Sequence, residues 1–459
     1  MSALWTAAEI ADVVEGATEH DFAVTGVTFD SREVGPGDLF VALKGGTTDG
    51  HRFVEQAFER GAKGAIVSTD AGGPCVVVAD TFRALNALGA AARARNAGKI
   101  VGVTGSAGKT GTKEALYAAL DRSAPGRAHR SVKSYNNHTG VPLSLARMKR
   151  EAKFGIFEMG MNHPGELAAL TRLVRPHVAI VTTIAPAHRE FFASDAAIAD
   201  AKAEIFEGLE PGGTAIIPHD SPHRDRLTAA ARRHAGGILT FGLGEGADVR
   251  ASYVVRGPRG GSMITAQLPG AQLSYTISQP GEHWVANSLA VLAAVQAVGG
   301  DLALAGLALA ELGGLKGRGE RHRIAVAGGE ALLIDESYNA NPASMAATLK
   351  VLGEEKVAGR RVAVLGAMRE LGEGSTAFHE ALAAPLAEAQ VDYAILVGPE
   401  MAALAKALGG QVKMAHVPDA ASALPLARAA IGPGDALLVK GSNAIGLAAL
   451  VEALAGGTD

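Results

Sequence analysis

Residues 99–114 read KIVGVTGSAGKTGTKE, and this stretch decides the fold. "KIVGVT" is a continuous apolar run, the kind of strand that a parallel sheet buries on both faces. Gly105 and Gly108 follow, then Lys109 and Thr110 at the head of a helix-like run. Glycines there let backbone N–H groups turn towards an anion, and the helix adds the positive end of its dipole. The full nucleotide-loop pattern, G-x-x-x-x-G-K-[ST], would need glycine at position 103, where Val103 stands. Gly105, Ser106, Ala107, Gly108, Lys109, Thr110 and Gly111 therefore read as a shortened phosphate grip. In it Lys109 would contact the β- and γ-phosphates of a nucleotide, and the Thr110 hydroxyl would ligate Mg²⁺. A glycine turn ahead of a surface lysine is the plainer alternative, and the motif alone names no reaction.

More strands of the same kind follow: KFGIFEMG (153–160), HVAIVTTI (177–184) and GTAIIP (213–218), with helix-like runs between them. Strand–helix alternation predicts a doubly wound sheet. With 459 residues the chain is too long for one ordinary domain. A first segment, 1–98, carries "GVTFDSREVGPGDLFVALKGG", a strand, a turn and a strand. The second, 99–318, holds the phosphate loop. The third, 319–459, has the strand-like runs RRVAVLG, DYAILVG and DALLVKG and no G-x-G-x-x-G fingerprint. Glycine-rich "AELGGLKGRGERH" (310–322) is the expected hinge between the last two.

Composition excludes several function classes. A net charge of −4 makes nucleic acid an unexpected partner. Cys75 is the only cysteine, so no disulfide within the chain and no cysteine-rich metal site can form. The N-terminus lacks the basic start and apolar core of a signal peptide, and the apolar runs are too short to span a bilayer. A cytoplasmic protein without membrane insertion is expected, as a monomer.

In open α/β sheets, ligands bind beyond the carboxyl ends of the strands. Glu158 and His188 fall at such ends and would converge with Lys109 on one crevice; oxygen ligands there suit Mg²⁺. Taken singly, Glu158 could equally be an ion-paired carboxylate and His188 a satisfied loop histidine. Lys202 is out of pattern, because it falls inside the apolar stripe Ile198, Ala201, Ile205, Phe206, Leu209 rather than opposite it. A lysine that snorkels to water is the simple account. The alternative is an amine neutralised by burial, which reacts with CO₂ to give a carbamate able to ligate Mg²⁺. "SYNNHTGVPLSL" (134–145) and "GEHWVANSLAVLAA" (281–294) place Asn136, Asn137, His283 and Asn287 where neutral amides and imidazoles could orient polar ligands. Turn chemistry and a buried, satisfied Asn would explain them as well.

Taken together, "TGSAGKT", "SYNNHTGVPLSL", "FEMGMNHPGEL", "APAH", "AKAEIF", "GEHWVANSLA", "IDESYNANPASM" and "VKGS", in this order, resemble the Mur ligases, ATP-dependent amide-forming enzymes of peptidoglycan synthesis. The resemblance covers nearly the whole chain. It implies a small N-terminal α/β UDP-binding domain, a central P-loop-type parallel-sheet ATPase domain and a C-terminal Rossmann-like α/β domain. Within the family "NNHTGVPLSL" and "DESYNANPASM" are most similar to the branch that joins D-alanyl-D-alanine to UDP-N-acetylmuramoyl-tripeptide. No Asp-Asn-Pro-Arg stretch of the branch that adds the diamino acid diaminopimelate is present.

The resemblance further implies roles. Lys109 and Thr110 would hold ATP phosphates and Mg²⁺, with Glu158 near the γ-phosphate. His188 and a carbamylated Lys202 would hold a second Mg²⁺. Asn136 or Asn137 would face the peptide carboxylate, and Asn287 the adenine. Arg318 and Asp335 would close on phosphates and ribose, and Asn339 and Asn341 would sit at the substrate. Ser31, Arg32, Asp49 and His51 lie in the part similar to a uridine nucleotide site. Trp284 and Asn443 depart from the pattern, standing where Asn and Arg are common. The rival readings are an amide ligase of this fold with another acceptor, diamino acid or glutamate, and a nucleotide-dependent switch without ligase activity.

Overall fold

The computed structural model describes residues 3–46, 48–187, 189–257 and 260–456. Besides a short antiparallel pair of Trp5–Thr6 with Ala23–Val24, three larger sheets carry the described chain, and the strands of each come from one stretch of sequence. The first is a four-stranded parallel sheet in the order β1-β2-β3-β4, made of Gly26–Thr28, Asp38–Val41, Gly64–Val67 and Cys75–Val77. The strand–turn–strand read around Gly35–Asp38 is therefore not a hairpin. A short helical turn over Ser31–Glu33 returns the chain so that β1 and β2 pair in parallel. Helix α1, Thr81–Ala94, is capped by the Asp80 carboxylate, which accepts from the N–H groups of Phe82 and Arg83. Its face with Leu85, Leu88 and Ala92 covers the sheet.

The second sheet has nine strands. Its parallel part comprises β5 (Lys99–Thr104), β6 (Ala128–Arg130), β7 (Phe154–Glu158), β8 (Val178–Val181), β9 (Thr214–Pro218), β10 (Gly237–Gly242) and β11 (Val249–Arg256). β12 (Ser262–Leu268) and β13 (Ala271–Ile277) extend it as an antiparallel meander. The order is β13-β12-β11-β10-β9-β8-β5-β7-β6, so β5 lies centrally with β8 on one side and β7 on the other. The apolar residues of these strands alternate between two buried clusters, one on each face of the sheet. Three helices matter for the site: α2 (Lys109–Ser123), α3 (Asp195–Ala203) and α4 (Glu282–Ala297).

The third sheet runs β14-β15-β19-β16-β17-β18. β14 (Glu320–Val326) and β15 (Gly329–Glu336) form an antiparallel pair; β16 (Arg361–Gly366), β17 (Tyr393–Val397), β18 (Lys413–Val417) and β19 (Ala436–Lys440) continue in parallel. Helix α5, Pro342–Glu354, leaves the carboxyl end of β15. Among the described residues no helix is long and apolar enough to cross a membrane.

Candidate active site

The carboxyl ends of β5, β7, β8 and β9 open into a crevice of about 600 Å³, and the ends of β15 and β19 face it from the third sheet. β5 delivers the chain to Gly105, whose φ is +150°. A Cβ there would lie 1.9 Å from Thr182 Oγ1, so only glycine lets the loop pass beneath the end of β8. Gly108 has φ +81° and is the N-cap of α2, with no side-chain cap. A Cβ at this residue would meet the Asn287 amide at 2.9 Å. The first turn of α2 thus offers its N–H groups to the crevice, where an anion can take them.

Lys109 folds back over the loop and donates to the Gly105 carbonyl at 2.7 Å. Burial pushes its ammonium below the ordinary lysine range; Glu158 opposes the shift and Arg318 adds to it. Glu158, at the end of β7, is buried. It accepts from Thr110 Oγ1 at 2.9 Å on one oxygen and from Asn136 Nδ2 at 2.7 Å on the other. A hydroxyl and a carboxylate clustered beside a phosphate loop are the hard oxygen donors that Mg²⁺ takes, and these residues fit such an ion. His188, expected at the second cation, lies outside the described residues.

Lys202 is 1% exposed, which excludes the snorkelling account. Its amine borders the crevice, and no carboxylate among the described residues pairs with it. Burial drives it well below the ordinary lysine range, and the charge of Lys109 adds to this.

The third sheet supplies the opposite wall. Arg318 stacks its guanidinium 4.0 Å above the Tyr338 ring. Lys440, ending β19, donates to the Asn339 carbonyl at 2.9 Å and lies 3.5 Å from Glu336. Burial lowers the lysine and raises the glutamate. Asn341 caps α5 in a reciprocal box with Ser344 and also donates to the Ser106 carbonyl at 3.2 Å, joining the third sheet to the phosphate loop. Asn287 and Trp284, from the first turns of α4, wall the crevice beside the phosphate loop; the indole lies against Gly111.

Several expected residues sit elsewhere. The Asp335 carboxylate is buried and accepts from the N–H groups of Gly317 at 2.8 Å and Ser337 at 3.0 Å. It braces the turn that carries Arg318 and does not line the crevice; Glu336 does. Asn137 accepts from Thr139 and Gly140 and so serves the short helix 140–146, while Asn136 faces the crevice. Ser31, Arg32, Asp49 and His51 lie in or at the start of the short helical turns between the strands of the first sheet and are not part of the crevice. Ser31 is buried and Arg32 pairs with Asp30 at 2.6 Å. Asp49 accepts from His51 Nδ1 at 2.6 Å, and His51 Nε2 accepts from the Ser68 N–H at 2.8 Å, which fixes the tautomer. The residues that sequence reasoning left without a role are Lys113, Glu336 and Lys440; the last two stand inside the quoted "IDESYN" and "VKGS".

A shortened phosphate loop, a buried acid and buried lysine from one sheet, and a second sheet closing over them define a nucleotide-dependent ligase-type crevice. Comparison with known proteins agrees with that architecture. The Mur ligase middle domain matches residues 103–295, the Mur ligase glutamate ligase domain 317–443, and the Mur ligase family catalytic domain 23–125. The chain is 34% identical over 455 residues to the UDP-N-acetylmuramoyl-tripeptide–D-alanyl-D-alanine ligase of Escherichia coli, with 98% of each chain covered. It is 30% identical to the Bacillus subtilis ligase of the same name, again with 98% of each covered. The crystal structure of MurF from Acinetobacter baumannii superposes with a TM-score of 0.84 at 34% identity, covering 98% of this chain and 99% of that one. MurF from Thermotoga maritima in complex with ADP gives 0.76 at 27% identity, covering 94% and 97%. The chain belongs to the Mur ligase family.

Proposed function

We infer that this protein is an ATP-dependent ligase that joins D-alanyl-D-alanine to UDP-N-acetylmuramoyl-tripeptide, a cytoplasmic step of peptidoglycan synthesis. The observation that carries the reading is the crevice itself, where Lys109 and Lys202 on helices α2 and α3 and Glu158 at the end of β7 meet Arg318, just before the third segment, and Lys440 and Asn341 within it. Similarity to ligases of that name over nearly the full length supports the choice of substrates.

The chemistry fits these side chains. The tripeptide carboxylate attacks the γ-phosphorus of ATP, ADP leaves, and an acyl phosphate forms. The amine of D-alanyl-D-alanine then adds to the acyl carbon, a proton is lost, and phosphate departs as the amide forms. Two anions must meet in the first step, so compensating positive charge is the main requirement. Lys109 and the N-terminal end of α2 hold the phosphates, and Arg318 brings further charge from the third sheet. Thr110 and Glu158 would hold Mg²⁺, which neutralises phosphate charge when bound. Asn287 reads the adenine, Asn136 orients the peptide carboxylate, and Asn339 and Asn341 bound the acceptor side. Ser31, Arg32, Asp49 and His51 hold the uridine nucleotide. The units are 1–98 for the UDP-linked substrate, 99–318 for ATP and 319–459 for closure, and the protein acts as a monomer. Hinge rotation near 310–320 brings three substrates into one geometry, largely an entropic task.

We place a carbamate on Lys202, where with His188 it would hold a second Mg²⁺. A buried amine with no carboxylate partner among the described residues supports this. Lys202→Ala should lower turnover about 100-fold, with recovery on adding short carboxylates; full activity without them removes the carbamate.

The reaction is tested by mixing the protein with ATP, Mg²⁺, UDP-N-acetylmuramoyl-tripeptide and D-alanyl-D-alanine, then following phosphate and the mass of the UDP-linked product. Pentapeptide formed one-for-one with phosphate is the expected result. Phosphate that appears only with another amine would reassign the acceptor, and no amide with any amine would end the ligase reading.

A further inference from the structure

Lys113 lies one turn along α2 from Lys109 and is completely buried, yet no step above uses it. A buried ammonium must find an acceptor for each of its three N–H bonds. Lys113 finds the carbonyls of Lys133 at 2.5 Å and Ser131 at 3.2 Å, and the Glu114 carboxylate at 2.9 Å. Its charge also stands 4.0 Å from Glu158 Oε2, the oxygen that accepts from Thr110.

The two carbonyls belong to the segment that shapes the surroundings of Glu158. Ser131 Oγ accepts from the Glu158 N–H at 3.1 Å, and Asn136 donates to Glu158 from the amide side chain while its carbonyl takes the Gly160 N–H. Lys133 sits at φ +51°, a left-handed conformation that a non-glycine residue adopts only when its surroundings hold it. Its carbonyl is the one bound most closely by Lys113. Beyond it, the Lys133 ammonium and the Tyr135 hydroxyl both bind Glu33 of the first sheet's Ser31–Glu33 turn.

We propose that Lys113 is a positioning residue for the cation site. Its ammonium pins the segment 131–136 so that Asn136 and Thr110 each hold one oxygen of Glu158 in the orientation that receives the nucleotide's Mg²⁺. The inference rests on the nucleotide-binding part of the proposed function and goes beyond it, since Lys113 does not line the crevice. The same ammonium secures the arm that reaches Glu33, so the segment beside Glu158 and the turn bearing Ser31 and Arg32 share one anchor.

The test is Lys113→Met in the full chain, with ADP binding measured by calorimetry over a Mg²⁺ series and amide exchange followed across residues 131–137. The Mg²⁺ concentration that half-saturates its effect on ADP binding should rise about tenfold, as outer-shell losses at metal sites do. ADP affinity without Mg²⁺ should be unchanged, and exchange should quicken in 131–137 but not along α2. Asn136→Ala should reproduce the Mg²⁺ shift, and the double variant should be no worse than the worse single one. A folded Lys113→Met with wild-type Mg²⁺ dependence and wild-type exchange overturns the proposal. If that variant fails to fold, Lys113→Arg keeps the buried charge but not the lysine's point-like geometry, and the same two readouts decide. A wild-type protein that binds Mg²⁺ and ADP but makes no amide would sink the substrate assignment and leave this inference standing. A wild-type protein in which Mg²⁺ does not affect ADP binding would overturn it.

Discussion

Two strand–loop–helix turns face each other across the crevice, β5 to α2 and β15 to α5, and they use the same backbone device in opposite ways. α2 begins at Gly108 with no side-chain cap, and its free N–H groups are left for a ligand. α5 begins at Asn341, whose side chain caps the Ser344 N–H while Ser344 returns the bond. Pro342 removes a further donor from that helix end. One helix end is an open anion site and the other is closed on itself, free to use its Asn341 amide as a strut to Ser106. A helix N-terminus becomes a phosphate site only when the sequence withholds its cap.

That contrast can be broken or sharpened by substitution. Lys109→Ala should cut phosphate release about 1,000-fold while leaving the thermal midpoint near wild type, because the loop is at the surface of the crevice. A variant that loses its fold instead would show that the loop is structural. Gly108→Ala forces a side chain into φ +81° and against Asn287, so ADP affinity should fall about tenfold (about 1.4 kcal/mol). Asn287→Ala in the same chain should relieve the clash, read as a recovered thermal midpoint, while lowering ADP affinity further because the adenine contact is lost. Asn341→Ala should cost about 1 kcal/mol of stability and remove the strut to the phosphate loop; an unchanged thermal midpoint would show that the reciprocal cap does not hold α5.

The smallest effect concerns pH. Burial lowers His129 to about 4, with its Nε2 on the Ser144 carbonyl at 2.7 Å. In the unfolded chain this imidazole takes up its proton near pH 6.5, so between there and pH 4 the unfolded state binds more protons. Stability therefore falls as pH drops through that window. His129→Gln should lose fewer degrees of thermal midpoint between pH 7 and pH 5 than the wild type; an equal loss would remove His129 from the account.

The parallel core was legible because its strands are short apolar runs that end in glycine or polar residues, and β5 coincides with the "KIVGVT" run. Lys202 was legible as an anomaly, since a charge inside an apolar stripe has few explanations. The meander β12–β13 escaped notice because it extends a parallel sheet without any helix to announce it. Lys113 escaped for a different reason. Next to Glu114 it reads as a solvated helix face, and only carbonyls contributed from 18 and 20 residues away reveal its burial. Asp335 and Glu336 show the same limit. Adjacent residues on a strand point to opposite sides, and sequence did not say which of the two would reach the crevice.

The lining of the crevice is mixed in charge. Burial lowers the proton affinity of Lys109 and Lys440, Glu158 and Glu336 respectively oppose that shift, and Arg318 adds to it. The empty crevice is therefore no bare cluster of cations: an incoming anion meets lysines that already have acids of the protein beside them.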